Sequence, residues 1–249
     1  MRLRKKPWID KALPEVIAAG YLYKADIGQF KGRWQERFPG RELCLEIGCG
    51  KGSFITGMAL LHPEKAFIGI ETQSDIAYYP AKKALDMGLT NVVILAADAA
   101  CMEDWFAPGE IGTLYLNFSD PWPKKKQAKR RLTHRNFLGL YKQILRSGGR
   151  LYFKTDNRSL FDFSMEEFKA FGLEIRGLSY DLHRSCYLNE VQTEYEIKFS
   201  AGGTPINYCE ACFVEGSGQI PYRSPKNPGP AAVCAMGEES GGPVGAPEQ

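Results

Sequence analysis

Glu46-Ile47-Gly48-Cys49-Gly50-Lys51-Gly52-Ser53 is the stretch that decides the fold. A short apolar run, Leu43–Ile47, leads into it, and a helical pattern, Ser53–Leu61, leads out. Strand, glycine turn and helix in that order open a nucleotide-binding type of α/β sheet. Glycines at alternate positions let the backbone turn tightly and approach a ligand with no Cβ in the way. The spacing is G-x-G-x-G, whereas the dinucleotide fingerprint G-x-G-x-x-G has its third glycine one place later. In that fingerprint a pyrophosphate rests on the helix N-terminus. Glu46, two residues before the first glycine, would repel a pyrophosphate and attract an ammonium. S-adenosylmethionine carries an ammonium and a sulfonium and no phosphate. A nicotinamide-dependent dehydrogenase is disfavoured on the same grounds.

Outward from this turn the chain alternates between strand and helix patterns. Ala66–Glu71 reads as a strand and Ser74–Met87 as a helix with Pro80 at a kink. Asn91–Ala96 is a β-branched run just before Asp98, and Ile111–Phe118 is a fourth strand. Thr133–Leu145 reads as a helix stopped by Gly148 and Gly149, followed by strand Arg150–Thr155 and helix Ser159–Phe171. Leu173–Tyr180 and Tyr195–Ser200 look like two further strands. The pattern predicts a mostly parallel sheet covered by helices on both faces. Residues 1–40 read as an N-terminal arm with a helix near Lys11–Ala19, and 41–213 as the main domain. Glu71 lies nineteen residues after Gly52, where an acid can accept from both ribose hydroxyls. Asp98 closes the third strand, where an adenine amino group would be read. Ligands of open α/β sheets bind at that edge.

The fourth strand runs into Asn117-Phe118-Ser119-Asp120-Pro121-Trp122-Pro123-Lys124. Two prolines stiffen this loop and fix Asp120 and Trp122 at the mouth of the site. Lys124 to Arg131 then reads KKKQAKRR, six positive charges in eight residues. Arg2, Arg4, Lys5 and Lys6 form a second basic cluster, although the whole chain carries only +3. Such clustering points to a polyanion partner, here nucleic acid. An aromatic ring, an acid and cations at one strand end suit a flat base on a phosphate backbone.

The chain has 249 residues, 44% of them hydrophobic and 24% charged, the composition of a globular protein. No apolar run approaches the roughly 20 residues a membrane helix needs, so no membrane partner is expected. Seven irregularly spaced cysteines argue against a disulfide framework and for a reducing cytoplasmic location. Cys209-Glu210-Ala211-Cys212 is a C-x-x-C without a second pair or a paired histidine, so no metal is expected. Residues 214–249 hold seven glycines and six prolines, with Tyr222 as their one aromatic. This tail is predicted to be disordered and outside the catalytic fold.

The motifs LEIGCGKGSF, GIE, AADA, FSDPWPKKK..KRRLT, KTDN and TEYEIKF resemble, in this order and spacing, the bacterial tRNA (guanine-N7)-methyltransferase family. The resemblance spans about residues 1–213, and the SDPWPKK segment is its most specific part. It implies a Rossmann-like class I methyltransferase, with a seven-stranded, mostly parallel sheet and helices on both faces. It implies S-adenosylmethionine as cofactor and tRNA as partner, with no obligatory protein partner, and methylation at N7 of a variable-loop guanine. By the same resemblance Glu46, Glu71, Asp98 and Asp120 take cofactor-binding positions, beside the loop glycines Gly48, Gly50 and Gly52. Asp120 is also the implied catalytic residue. Lys124, Asp156, Thr193, Glu194, Tyr195 and Glu196 take the substrate-contacting positions. Gln127 stands where the family usually has His, and Lys126 where it often has Arg.

Guanine N7 has a free lone pair and no proton to lose, so methyl transfer needs no general base. Asp120 is expected to stabilise the positive charge that develops on the purine. A carboxylate can accept both N1–H and the exocyclic amine of guanine, and Asp156 and Glu196 are both candidates. Trp122 can stack on the base or hold the loop, and Lys124, Lys125, Lys126, Lys129, Arg130 and Arg131 can hold phosphates. A small-molecule or protein methyltransferase and a non-catalytic tRNA-binding factor are the competing readings. The basic run disfavours the first, and the full set of donor-site acids disfavours the second.

Overall fold

The computed structural model describes residues 6–214. Arg2, Arg4, Lys5 and the tail from Glu215, for which disorder was expected, lie outside the described residues.

Eight strands form one sheet in the order β1-β4-β3-β2-β5-β6-β8-β7. They are β1 (Leu22–Tyr23), β2 (Glu42–Ile47), β3 (Lys65–Glu71), β4 (Val92–Ala96), β5 (Ile111–Asn117), β6 (Leu145–Thr155), β7 (Leu173–Ser179) and β8 (Asn207–Phe213). All neighbours are parallel except β8, which runs antiparallel to both β6 and β7. Chain order reverses between β2 and β5, so loops at their carboxyl ends open a crevice there.

The helices are α1 (Pro7–Ala18), α2 (Trp34–Arg37), α3 (Ser53–Leu61), α4 (Ser74–Asp86), α5 (Arg135–Ile144), α6 (Arg158–Phe171) and α7 (Glu194–Ala201). One apolar layer joins Leu45, Leu114, Leu116, Leu151 and Phe153 to Leu138, Tyr141, Phe161 and Phe168 of α5 and α6. A second layer, on the other face, joins Cys44, Phe67 and Ile94 to α1, α3 and α4. The first faces of β2, β5 and β6 are thus continuously aliphatic or aromatic. Their opposite faces carry Glu46, Tyr115, Asn117, Tyr152 and Lys154. Burial of a large side chain such as Phe153 contributes about 1.5–3 kcal/mol.

Three features correct the expectation from sequence. The sheet has eight strands rather than seven, because Leu22 and Tyr23 pair with Ile94 and Leu95 and add an edge. The stretch Tyr195–Ser200 is helical, not extended. Its alternating Tyr195, Ile197 and Phe199 imitate a strand, but Thr193 accepts a hydrogen bond from the Glu196 N–H at 2.9 Å and starts a helix. The last strand is Asn207–Phe213 instead, which places the C-x-x-C pair on β8. The N-terminal forty residues also contribute Ile9, Leu13, Leu22, Trp34 and Phe38 to the buried core. Trp34 anchors them, donating its indole N–H to the Trp105 carbonyl at 3.0 Å.

Candidate active site

The glycine turn follows β2 and feeds α3. Gly48, Gly50 and Gly52 have φ of +78°, +54° and +84°, a region that L side chains rarely adopt. A Cβ on Gly48 or Gly50 would meet open space, so this side of the turn is free for a ligand. Gly52 is different. A Cβ there would collide with Pro80 of α4, whose Cα would lie at 2.8 Å. Gly52 therefore serves close helix packing as well as the turn.

Glu46 is buried at the end of β2. Asn117 donates its Nδ2–H to Glu46 Oε1 at 2.9 Å. Glu46 Oε2, Asn117 Oδ1 and Ser119 Oγ are buried with no hydrogen-bond partner. Burial pushes the Glu46 carboxyl up to about 7, while Asn117 and Lys154 pull it down. Unpartnered buried acceptors are costly, at about 1–3 kcal/mol each. They fit a ligand that brings its own donors, and an ammonium brings three.

Glu71 ends β3. Its Oε1 accepts from Gln73 N–H at 3.0 Å and its Oε2 from Gly50 N–H at 3.2 Å, which ties β3 to the turn. Burial raises its pKa, and these backbone donors oppose the rise. Asp98 follows β4 and caps the 3-10 turn Ala99–Asp104, accepting from Ala100 N–H at 3.0 Å. Each acid is held by backbone N–H groups and keeps acceptor capacity for a ligand. Glu71, Asp98 and Asp120 line one cavity of about 700 Å³, with Gly48, Phe118 and Trp122. Glu46, Gly50, Thr193, Glu194 and Tyr195 line an adjoining one of about 380 Å³, and Gly48 and Phe118 belong to both. These residues fit S-adenosylmethionine, with an acceptor for its ammonium, one for its ribose and one for its adenine amine.

The loop after β5 forms the rim. Phe118 and Trp122 hold φ of +51° and +40°, in the region that favours glycine. Arg131 fixes that loop, donating to the Pro121 carbonyl at 2.9 Å and to the Trp122 carbonyl at 3.1 Å. The Arg130 guanidinium lies 4.3 Å from the Trp122 ring centroid, a cation–π contact. Lys124 leads into a 3-10 segment, Lys125–Arg130, whose lysines are exposed. Asp120 is exposed at the cavity mouth, and Asp156 lies half-buried just beyond β6. Burial raises the Tyr195 phenol, and the charges of Asp156 and Asp120 add to the rise. Tyr195 also packs on Phe118, with ring centroids 5.3 Å apart.

Glu196 stands apart from this mouth. It is fully buried, with Oε2 at 2.8 Å from Lys154 Nζ and Oε1 accepting from Asn189 Nδ2 at 2.6 Å. Thr193 is buried too and spends its hydroxyl on the helix cap. Lys154 and Asn117 escaped the sequence reading. The signal was present: LYLN and LYFKT alternate polar and apolar residues, which marks a strand face that is not wholly core. Among the described residues no group of three or more His, Cys, Asp or Glu could hold a metal ion.

Strand-end acids around a glycine turn, at the reversal point of a sheet with one antiparallel strand, define a class I S-adenosylmethionine-dependent methyltransferase. A family model described as "Putative methyltransferase" matches residues 40–209. The fold resembles a 16S rRNA (adenine(1408)-N(1))-methyltransferase from Catenulisporales acidiphilia, with TM-score 0.57 and 12% identity over 78% of this chain and 94% of that one. It also resembles the antibiotic-resistance methyltransferase Kmr, with TM-score 0.54 and 20% identity over 75% and 93% of the two chains. The tRNA (guanine-N(7)-)-methyltransferase of Listeria welshimeri is 45% identical over 86% of this chain and 99% of its own. That of Limosilactobacillus reuteri is 48% identical over 83% of this chain and 96% of its own. The chain belongs to the tRNA (guanine-N7)-methyltransferase family.

Proposed function

We infer that the protein transfers the methyl group of S-adenosylmethionine to N7 of a guanine in the variable loop of tRNA. The observation that carries this reading is the arrangement of Glu46, Glu71, Asp98 and Asp120 along one crevice beneath a basic rim. S-adenosylmethionine supplies an electrophilic methyl on a sulfonium. Glu46 would hold its ammonium, Glu71 its ribose hydroxyls and Asp98 its adenine amine.

The remaining work is positioning. N7 needs no deprotonation, so orienting it toward the donor dominates, a contribution of up to about 7–11 kcal/mol. Asp120 lines the larger cavity on the same loop as Phe118, which both cavities share, and its carboxylate stabilises positive charge as it grows on the purine. Asp156 accepts N1–H and the exocyclic amine of guanine, which adenine cannot match. The burial of Glu196 and the use of both its oxygens support Asp156 over Glu196 for this grip. Trp122 and Tyr195 offer the ring faces on which an extruded base can rest. Lys124, Lys125, Lys126, Lys129 and Arg130 hold phosphates and supply salt-dependent affinity rather than sequence choice.

No helix among the described residues is long and apolar enough to cross a membrane. The reading places the reaction in the cytoplasm and asks for no protein partner, so the purified chain should suffice. The test is incubation with unmodified tRNA transcript and S-adenosylmethionine, followed by nucleoside mass spectrometry. The expected product is 7-methylguanosine, absent with Asp120→Ala. A different methylated nucleoside, or none, overturns the substrate assignment.

A further inference from the structure

The sheet face that carries Glu46 also carries a buried cation with no part in the chemistry so far. Register sets Glu46 of β2 level with Tyr115 of β5, and Asn117, two residues on, level with Lys154 of β6. Glu46, Asn117 and Lys154 therefore stand on one face of three neighbouring strands. The Lys154 side chain is only 7% exposed. Its Nζ donates to Glu196 Oε2 at 2.8 Å, to Asn189 Oδ1 at 3.1 Å and to the Val191 carbonyl at 3.4 Å. It lies 5.1 Å from the Phe54 ring centroid, and Phe54 and Asn117 both line the cavity that holds Glu46.

A buried ion pair is weak support for stability, because apolar residues of similar volume do as well. Its retention here has a second explanation. Three charges bear on Glu46 from the elements around it: Lys154 on β6, Glu71 on β3 and Glu194 on α7. The two acids oppose ionisation of Glu46; the Asn117 hydrogen bond favours it, and Lys154 is the one of these three charges that does so. The partner of Lys154 is Glu196 of α7, three residues after Thr193 and one after Tyr195 at the cavity mouth, and the other Glu196 oxygen also meets His183 Nε2 at 3.2 Å.

We propose that Lys154 is a positioning residue for donor binding: across Asn117 it holds Glu46 as the anion an ammonium requires, and through Glu196 it seats α7 beside the same cavity. The proposal rests on Glu46 being the ammonium acceptor, as under the proposed function. It makes Lys154 part of the reaction without contact to either substrate.

The pH dependence of S-adenosylmethionine binding, followed by titration calorimetry on the full chain, tests this. The acid limb of that profile reports ionisation of Glu46. Lys154→Met should move the limb upward by about one pH unit, lowering affinity near pH 7 about fivefold. Lys154→Met/Glu196→Met replaces the whole pair by apolar residues and should fold even where the single variant does not. It should show the same upward shift. In a Glu46→Gln background, Lys154→Met should leave the profile unchanged. A folded variant whose acid limb stays at the wild-type position overturns the proposal, as does a shift that persists without Glu46. Absence of any binding by the wild-type chain is a different failure: it removes the donor reading itself and the proposal with it.

Discussion

Asn117 holds Glu46 by one oxygen, at 2.9 Å, and leaves the other oxygen buried without a partner. The free oxygen makes the site dependent on its charge state. Burial raises the carboxyl to about 7, and a bound ammonium would lower it again. Donor binding should therefore release a proton near pH 6–7, and affinity should fall by up to about tenfold per unit of pH below that. Calorimetry in two buffers of different ionisation enthalpy measures the released proton directly. Glu46→Gln should bind weakly and show no acid limb.

The same group affects stability of the ligand-free chain. A carboxyl raised from the ordinary 4.5 to about 7 contributes its full stability below the ordinary value, and loses it as pH rises through about 7. Glu46→Gln should thus gain thermal stability relative to wild type above about pH 7 and lose that advantage in mild acid. A melting series across pH without S-adenosylmethionine decides it, and a constant difference would contradict the burial of this charge.

Asp120 is exposed at the cavity mouth, where its charge can face the charge developing on the base. Asp120→Asn keeps shape and removes charge, so kcat should fall about 10²–10³-fold. No proton passes through this residue, so the methyl-transfer step should show no solvent deuterium isotope effect. An isotope effect that disappears in Asp120→Asn would assign Asp120 to proton transfer instead.

Arg131 fastens the rim by two carbonyls rather than by a phosphate. Arg131→Ala should raise KM for tRNA and lower kcat together while leaving S-adenosylmethionine affinity within about twofold. Lys125→Gln and Lys129→Gln should behave otherwise, each reducing the salt slope of tRNA binding by about 1. Filter binding at several salt concentrations separates the two classes.

Gly52→Ala should lower stability by about 2–4 kcal/mol, because a Cβ there strains a positive φ and meets Pro80. Thermal unfolding measures this, and a wild-type melting point would show that α4 yields easily.

Much of the fold and of the candidate site was legible in the sequence because each acid proposed for the donor site sits beside a local signal. Glu46 precedes glycines, Glu71 and Asp98 close β-rich runs, and Asp120 opens the Pro121-Trp122-Pro123 turn. The α7 segment was not legible, since Tyr195, Ile197 and Phe199 alternate as a strand would and the deciding cap is one hydroxyl of Thr193. Glu196 looked like a substrate ligand because its four-residue motif is continuous. Its burial depends on Lys154, forty-two residues earlier in the chain, and pairing over that distance leaves no local trace. Leu22–Tyr23 was missed because two residues carry no period.

Phe118 and Trp122 bracket Asp120 with backbones that favour glycine, each costing about 1–3 kcal/mol. Glycine at either position would relax the chain and release the ring that the rim presents. The loop is thus a place where the most stable sequence and the working sequence differ. Selection for heat resistance alone should erode it first, trading turnover for robustness.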